Sequence, residues 1–270
     1  IMPHLMSLAL KKTVESSDML ILVATSGDTG KAALEGFRDV ARTRILVFYP
    51  SEGVSEVQRA QMVTQDGNNV GVVAVEGNFD DAQTGVKKIF SSVQMREVLA
   101  KKNLKLSSAN SINWGRLAPQ IAYYFSAYQS LCATGKICSG ESVNFVVPTG
   151  NFGNILAGYY AKKMGLPVNR LICASNDNNV LTDFLRTGVY DRNRPFHQTI
   201  SPSMDILISS NLERLLYHAT DGDAEKVRSW MEELNSTGRY AVGALTLAKI
   251  QETFWADWAS TEDSVATIRH

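Results

Sequence analysis

Val143-Asn-Phe-Val-Val-Pro-Thr-Gly-Asn-Phe-Gly-Asn154, continued by Ile155-Leu-Ala-Gly-Tyr-Tyr-Ala-Lys-Lys-Met164, is the stretch that decides the fold. Val143 to Val147 is a short apolar run rich in β-branched side chains, the pattern of a buried parallel strand. Pro148 ends it, Gly150 and Gly153 bracket a turn, and the residues after Asn154 take helical spacing. A strand, a glycine turn and a helix start in that order can hold an anion. The first-turn N–H groups have no intrahelical acceptor, and the helix dipole adds partial positive charge. Glycine permits positive φ and a backbone approach that a Cβ would block. The spacing therefore predicts a phosphate cradle over Thr149 to Asn154. On this stretch alone an ordinary βα turn with nothing bound is the simpler alternative.

Outward from that stretch, strands and helices alternate. Apolar runs at 19–24, 45–49, 70–75, 143–147 and 170–174 predict strands, with a short one at 104–107. Helical spacing covers 31–42, 55–65, 80–99, 116–131, 155–164, 179–187, 211–219 and 224–234. Ser55 and Gln58 form a capping pattern, and Asp80 or Asp81 can cap the long helix. The alternation predicts an α/β fold of mostly parallel sheet with helices on both faces. The most irregular stretch, 107–115, divides it into two lobes, 1–113 and 114–270.

Composition narrows the function classes. The 270 residues carry 27 basic and 27 acidic side chains, so charge gives no argument for nucleic acid or an anionic membrane. Apolar runs are far shorter than a membrane span. Cys132, Cys138 and Cys173 lack ligand spacing and fit reduced thiols of a cytoplasmic protein. His4, His197, His218 and His270 are scattered, so no metal site is expected. Asp221-Gly-Asp223 is a helix cap, since the later ligands of a calcium loop are missing. Trp255 and Trp258 suit either a core or a dimer contact. Residues 1–10 have helical periodicity with no basic region before them, which argues against a signal peptide. They read as a helix cut at its start, so a fragment is expected.

Two further turns carry chemistry. Thr25-Ser-Gly-Asp-Thr-Gly30 also follows a strand and opens a helix. It fails the nucleotide-hydrolase phosphate loop, which needs Gly at Thr25 and a hydroxyl residue at Ala32. What is left is a helix start dense in hydroxyls, Thr25, Ser26 and Thr29, beside the Asp28 carboxylate. Such a set holds a carboxylate or phosphate, or is a plain capping cluster. Asn110-Ser-Ile-Asn-Trp-Gly-Arg116 places three side-chain amide and hydroxyl groups and a bidentate-capable guanidinium just before a helix. That suits a phosphate-bearing ligand, or a polar loop closed by its own arginine.

Together, Thr25–Gly30, Ser111–Arg116 and Pro148–Asn154 resemble threonine synthase, of the tryptophan-synthase-β (fold type II) class of pyridoxal-phosphate enzymes. Ser175-Asn-Asp-Asn-Asn-Val-Leu-Thr-Asp-Phe184, Thr199-Ile-Ser-Pro-Ser-Met-Asp-Ile206 and Ser209-Ser-Asn-Leu-Glu-Arg-Leu-Leu216 are similar to that family too. The likeness extends from Ile1 to about Leu234. Ser-Gly-x-Thr-Gly is shared by the whole fold type. Asn-Trp-x-Arg with Pro-Thr-Gly-Asn-Phe-Gly-Asn is far more specific.

The resemblance implies conversion of O-phospho-L-homoserine and water into L-threonine and phosphate, with pyridoxal 5'-phosphate as cofactor. It assigns Gly150, Asn151, Phe152, Gly153 and Asn154 to the cofactor phosphate and Asp28 to the neighbourhood of the phenolic oxygen. Ser26 and Thr29 would lie near the substrate, and Asn110, Ser111 and Arg116 would grip its phosphate. The family's Schiff-base lysine would fall upstream of Ile1. Lys11, Lys12 and Lys31 do not match its motif, and no match to the family's C-terminal segment precedes His270. No catalytic residue is thus expected in this chain, and the 270 residues alone are expected to be inactive. A monomer or homodimer is expected. A serine/threonine dehydratase-like or cysteine-synthase-like lyase, or a non-catalytic binding module, are the alternatives.

Overall fold

The computed structural model describes every residue except Ser26, Glu52, Gly53 and Asn78, together with the side chain of Asp80. It divides into two compact units, Ile1–Pro119 and Gln120–His270.

The first unit begins with helix α1 (Met2–Lys12) and strand β1 (Asp18–Ala24). Helix α2 (Asp28–Phe37), β2 (Thr43–Pro50), α3 (Glu56–Val63) and β3 (Val70–Val75) follow. Then come α4 (Phe79–Ser91), α5 (Val93–Lys101), β4 (Leu104–Ser108) and the start of α6 (Trp114–Ala133). The strands form one parallel sheet in the order β3-β2-β1-β4. Because side chains alternate along a strand, β1 feeds two cores. Ile21 and Val23 pack with Leu34, Phe37, Ile45, Val47 and Met62 on one face. Leu22 and Ala24 pack with Ala82 and Val86 of α4 on the other. That double burial explains why β1 is continuously apolar.

Two helix boundaries differ from the periodicity. The helix expected over 31–42 starts at Asp28 and stops at Phe37; Asp39 turns to φ 52° and is tied by its N–H to Asn69 and by its carboxylate to Asn68. The helix expected over 80–99 is two helices. Ser92 leaves the helical conformation, and its hydroxyl oxygen accepts the N–H of Met95 to start α5. At α3 the Ser55 hydroxyl accepts the Gln58 N–H, as the capping pattern predicts.

In the second unit β5 (Val143–Pro148), α7 (Gly153–Lys163), β6 (Val168–Ser175) and α8 (Val180–Thr187) come first. Strand β7 (Val189–Asp191), a 3-10 turn at Pro202–Met204, α9 (Leu212–Ala219) and α10 (Ala224–Thr237) follow. The unit closes with β8 (Arg239–Ala241), α11 (Ala244–Gln251), β9 (Phe254–Trp258) and α12 (Thr261–Arg269). Strands β5, β6 and β9 form a parallel sheet in that order, and β7 pairs antiparallel with β8. Leu171, Cys173, Phe254 and Ala256 are buried. Trp255 and Trp258 are exposed on β9, so neither is a core residue. Asp223 accepts the Lys226 N–H and caps α10, as its spacing implies. Among the described residues no helix is long and apolar enough to cross a membrane, and no cluster could hold a metal ion.

Candidate functional site

In the second unit residues 143–163 fold into strand β5, a loop and helix α7. Phe152 occupies the N-cap of α7 with φ 62°, a left-handed conformation that costs a non-glycine residue of the order of 1–3 kcal/mol. The ring is fully buried and lies 5.5 Å from that of Phe254, which holds the residue in place. The N-cap residue Phe152 offers no side-chain acceptor, so the first-turn N–H groups of α7 get none from their own cap position and suit an acceptor from outside the helix.

The loop carbonyls are turned away from that opening. The Ser209 hydroxyl donates to the Gly150 carbonyl at 2.9 Å. The Asn151 carbonyl accepts the N–H of Asn211 at 3.1 Å and its side-chain amide at 2.9 Å. In a trans peptide the N–H points opposite to the preceding carbonyl. Fixing the carbonyls of Gly150 and Asn151 therefore aims the N–H groups of Asn151 and Phe152 away from residues 209–211. Together with the first turn of α7 they make a set of donors suited to a phosphate. Packing favours glycine at 150: a Cβ there would stand 3.1 Å from the Ser203 carbonyl oxygen, and the backbone would have to give by a few tenths of an ångström.

The Asn154 side chain is turned back into its own unit. Its carbonyl oxygen accepts the Tyr124 hydroxyl at 2.9 Å, and its amide donates to Gln120 at 2.9 Å. Burial raises the Tyr124 pKa well above the ordinary phenol value, so the hydroxyl stays a donor. Only the backbone of Asn154 is therefore placed to serve the cradle.

In the first unit the Thr25 hydroxyl is buried and accepts the N–H groups of Gly27 and Gly30, each at 3.0 Å. It thus caps the start of α2, the second of the two readings of this turn. Ser26 lies outside the described residues. A Cβ on Gly30 would meet Thr25 Cγ2 at 2.5 Å and Met62 Sδ at 2.6 Å, so only glycine lets α2 approach β1 and α3 this closely. Asp28 accepts Gln58 Nε2 at 2.6 Å.

Asn110 straps the loop to the sheet. Its amide donates to the Ala24 carbonyl at 2.8 Å, and its oxygen accepts the Ala24 N–H at 3.3 Å. Ser111 is half-buried in the turn before α6. The Arg116 guanidinium donates to the Ala109 carbonyl at 3.0 Å and lies 3.5 Å from the Thr29 hydroxyl. Burial pulls the Arg116 pKa down from its ordinary value, which is so high that the charge is retained. The structure thus brings Thr29 and Arg116 together, and sets Asn110 and Asp28 in the framework around them. Lys31 pairs with Glu35 at 3.6 Å and donates to Gln65, so it is a partnered helix charge rather than a freely solvated one.

Four contributors were not singled out for the site in the sequence. Gln58, Gln120, Tyr124 and Asn211 act on residues 30 to 60 positions away. Asn211 at least stands in a stretch already tied to the family resemblance; the other three carry no local signal.

No protein-family model matches the chain. Threonine synthase-like 1 of Homo sapiens is 45% identical over 275 residues, covering 99% of this chain and 37% of that protein. Threonine synthase of Saccharomyces cerevisiae is 40% identical over 264 residues, covering 94% of this chain and 50% of that protein. A crystal structure of pyridoxal-phosphate-bound threonine synthase from Brucella melitensis superposes with a TM-score of 0.87 at 43% identity, covering 98% of this chain and 55% of the other. The chain spans half or less of the length of these two curated relatives.

Proposed function

We propose, from the premise that this chain belongs to the threonine synthase family and has its fold type II architecture, that it carries the cofactor and substrate phosphate sites of a threonine synthase. The reaction is conversion of O-phospho-L-homoserine and water into L-threonine and phosphate, a carbon–oxygen lyase step that ends threonine biosynthesis. The uncapped start of α7, with the Gly150 and Asn151 carbonyls held back by Ser209 and Asn211, is the observation that carries this reading. The loop fits the phosphate of pyridoxal 5'-phosphate, which supplies, when bound, an electron sink for carbanions.

Each residue then has a stated task. The backbone donors of Gly150, Asn151, Phe152, Gly153 and Asn154 hold the cofactor phosphate. Asp28, oriented by Gln58, is assigned to the neighbourhood of the cofactor's phenolic oxygen. Arg116 is oriented by the Ala109 carbonyl beside Thr29 and receives the substrate phosphate. A guanidinium there neutralises the charge that develops as phosphate departs. Ser26 and Ser111 complete the substrate contacts, and Asn110 keeps the loop before α2 in register. The two lobes are 1–113 and 114–270, a division near that of the two compact units at Pro119. The three cysteines are free thiols, which supports a cytoplasmic protein.

Phosphate release by the natural full-length protein tests the proposal. O-phospho-L-homoserine should be turned over in preference to serine or O-acetylserine, and Arg116→Ala should remove the preference. Turnover of serine without phosphohomoserine would favour a dehydratase-like lyase. Cofactor binding with no turnover of any of the three would favour a binding module, as relatives named threonine synthase-like would allow.

A further inference from the structure

The phosphate cradle does not hold its own shape. It is braced from behind by residues 203–211, and that strap is held in turn by one buried carboxylate. The Ser203 carbonyl oxygen and Met204 Cα would stand 3.1 and 3.3 Å from a Cβ on Gly150, so the strap's backbone lies directly against the loop. Farther along, Ser209 and Asn211 fix the Gly150 and Asn151 carbonyls, and the Ser210 hydroxyl donates to the Asn151 side chain at 3.1 Å. The Tyr190 hydroxyl ties the middle of the strap, donating to the Leu207 carbonyl at 3.0 Å and accepting the Ser209 N–H at 2.9 Å.

Asp205 sits where this strap turns. Its Oδ1 accepts the Asn176 amide at 2.7 Å, the Asn178 amide at 3.1 Å and the Thr199 hydroxyl at 2.8 Å. Its Oδ2 accepts the Thr199 N–H at 2.9 Å. These donors are all neutral. Asn176 and Asn178 follow directly on strand β6, and Asn178 also binds both the N–H and the carbonyl of His197. A buried charge held by neutral dipoles is costly unless each lone pair is satisfied, so the arrangement tolerates few alternatives.

We infer that Asp205 is a positioning residue for the cofactor phosphate: its carboxylate locks the 199–206 turn to the end of β6, and the turn's backbone sets the Gly150–Asn154 donors. An amide cannot replace it. Either orientation of an asparagine at 205 would put an NH2 group against the Thr199 N–H or against the two asparagine amides and the hydroxyl. The charge also strengthens each of the four bonds relative to neutral pairs. The inference rests on the cofactor reading above, and its test separates the two.

The test is spectral titration of the natural full-length protein, freed of cofactor, with pyridoxal phosphate and with pyridoxal, which lacks the phosphate. The affinity ratio isolates the cradle, because loss of fold would weaken both ligands alike. Asp205→Asn should lower the ratio by about tenfold or more while leaving pyridoxal affinity within about twofold. Thr199→Val removes the hydroxyl that donates to Asp205 and accepts the Asn176 amide and the Ser201 N–H, and keeps the Thr199 N–H bond to Oδ2, so it should lower the ratio by about threefold or more, and Thr199→Ser should restore it. Amide hydrogen exchange over 151–155 should quicken in the first two variants alone. Unchanged ratios in both Asp205→Asn and Thr199→Val, or a parallel fall for both ligands, would overturn the inference while leaving the cofactor reading intact. A wild-type protein that binds pyridoxal as well as its phosphate would overturn both.

Discussion

Gly158→Ala is the perturbation on which packing and helix propensity give opposite signs. Gly158 lies inside α7, where alanine is ordinarily favoured over glycine by about 1 kcal/mol. A Cβ there would come within 2.7 and 2.8 Å of Tyr124 Cε1 and Cζ and 3.0 Å of Leu171 Cδ2. Both neighbours are buried, and the closer contact is to a pair of atoms in a rigid ring. Tyr124 is pinned by its hydroxyl to Asn154, and Leu171 stands on a central strand. Overpacking of this kind costs roughly 1–3 kcal/mol, so the net effect is destabilisation of about 1–2 kcal/mol at the upper part of that range. Gly85→Ala is the control. Gly85 lies in α4 with no heavy atom within 4 Å of its added Cβ, and alanine there should stabilise by about 0.5–1 kcal/mol. Urea unfolding midpoints of the two variants should move in opposite directions. Displacement of the Tyr124 ring should also loosen Asn154 and weaken cofactor binding in the first variant only. A Gly158→Ala protein as stabilised as Gly85→Ala would refute the packing argument.

Two further outcomes follow from charge and burial. The Lys105 ammonium, at 2.6 Å, and the Ser17 N–H, at 2.9 Å, hold the Glu15 carboxyl down to about 2 from an ordinary 4.5. A depressed carboxyl stabilises the fold above its unfolded pKa and loses that contribution as pH falls toward its folded one, so Glu15→Gln should flatten the stability profile below about pH 5 and leave the slope above pH 6 unchanged. An equally steep acid limb in that variant would exclude Glu15 as a contributor. Burial pushes the Cys173 thiol up to about 12, whereas Cys138 is exposed. At pH 8 a thiol reagent should modify Cys138 in the native protein and Cys173 only after unfolding; rapid native modification of Cys173 would contradict its placement.

Local pattern carried most of the architecture. Strand β5, the glycine turn and α7 were legible because the signals lie within a few residues of one another. So were the caps at Ser55 and Asp223. Strand β9 was missed because its five residues pair with β6 some eighty positions earlier, and a short aromatic stretch has no period of its own. The break at Ser92 was overridden by a helical period that runs on across it. Residue types marked the site, and their roles depended on tertiary partners. Thr25 reads in sequence as either a ligand holder or a cap, and its bond to the Gly30 N–H comes from the fold; Asn110 reads as a polar loop residue, and its pairing with the Ala24 backbone 86 positions away has no local signal. The sequence assigns Asn154 to the cofactor phosphate without saying which of its groups serves, and only tertiary packing shows its side chain held by Tyr124 and Gln120, 30 and 34 positions away.

A crystal structure of the natural full-length protein grown with pyridoxal phosphate bears most directly on the reading of α7 as an anion-holding helix start. The phosphate oxygens should lie within about 3.2 Å of backbone nitrogens of residues 150–155, with the Gly150 and Asn151 carbonyls still bound to Ser209 and Asn211. A phosphate held elsewhere, with those backbone N–H groups facing solvent, would contradict the account.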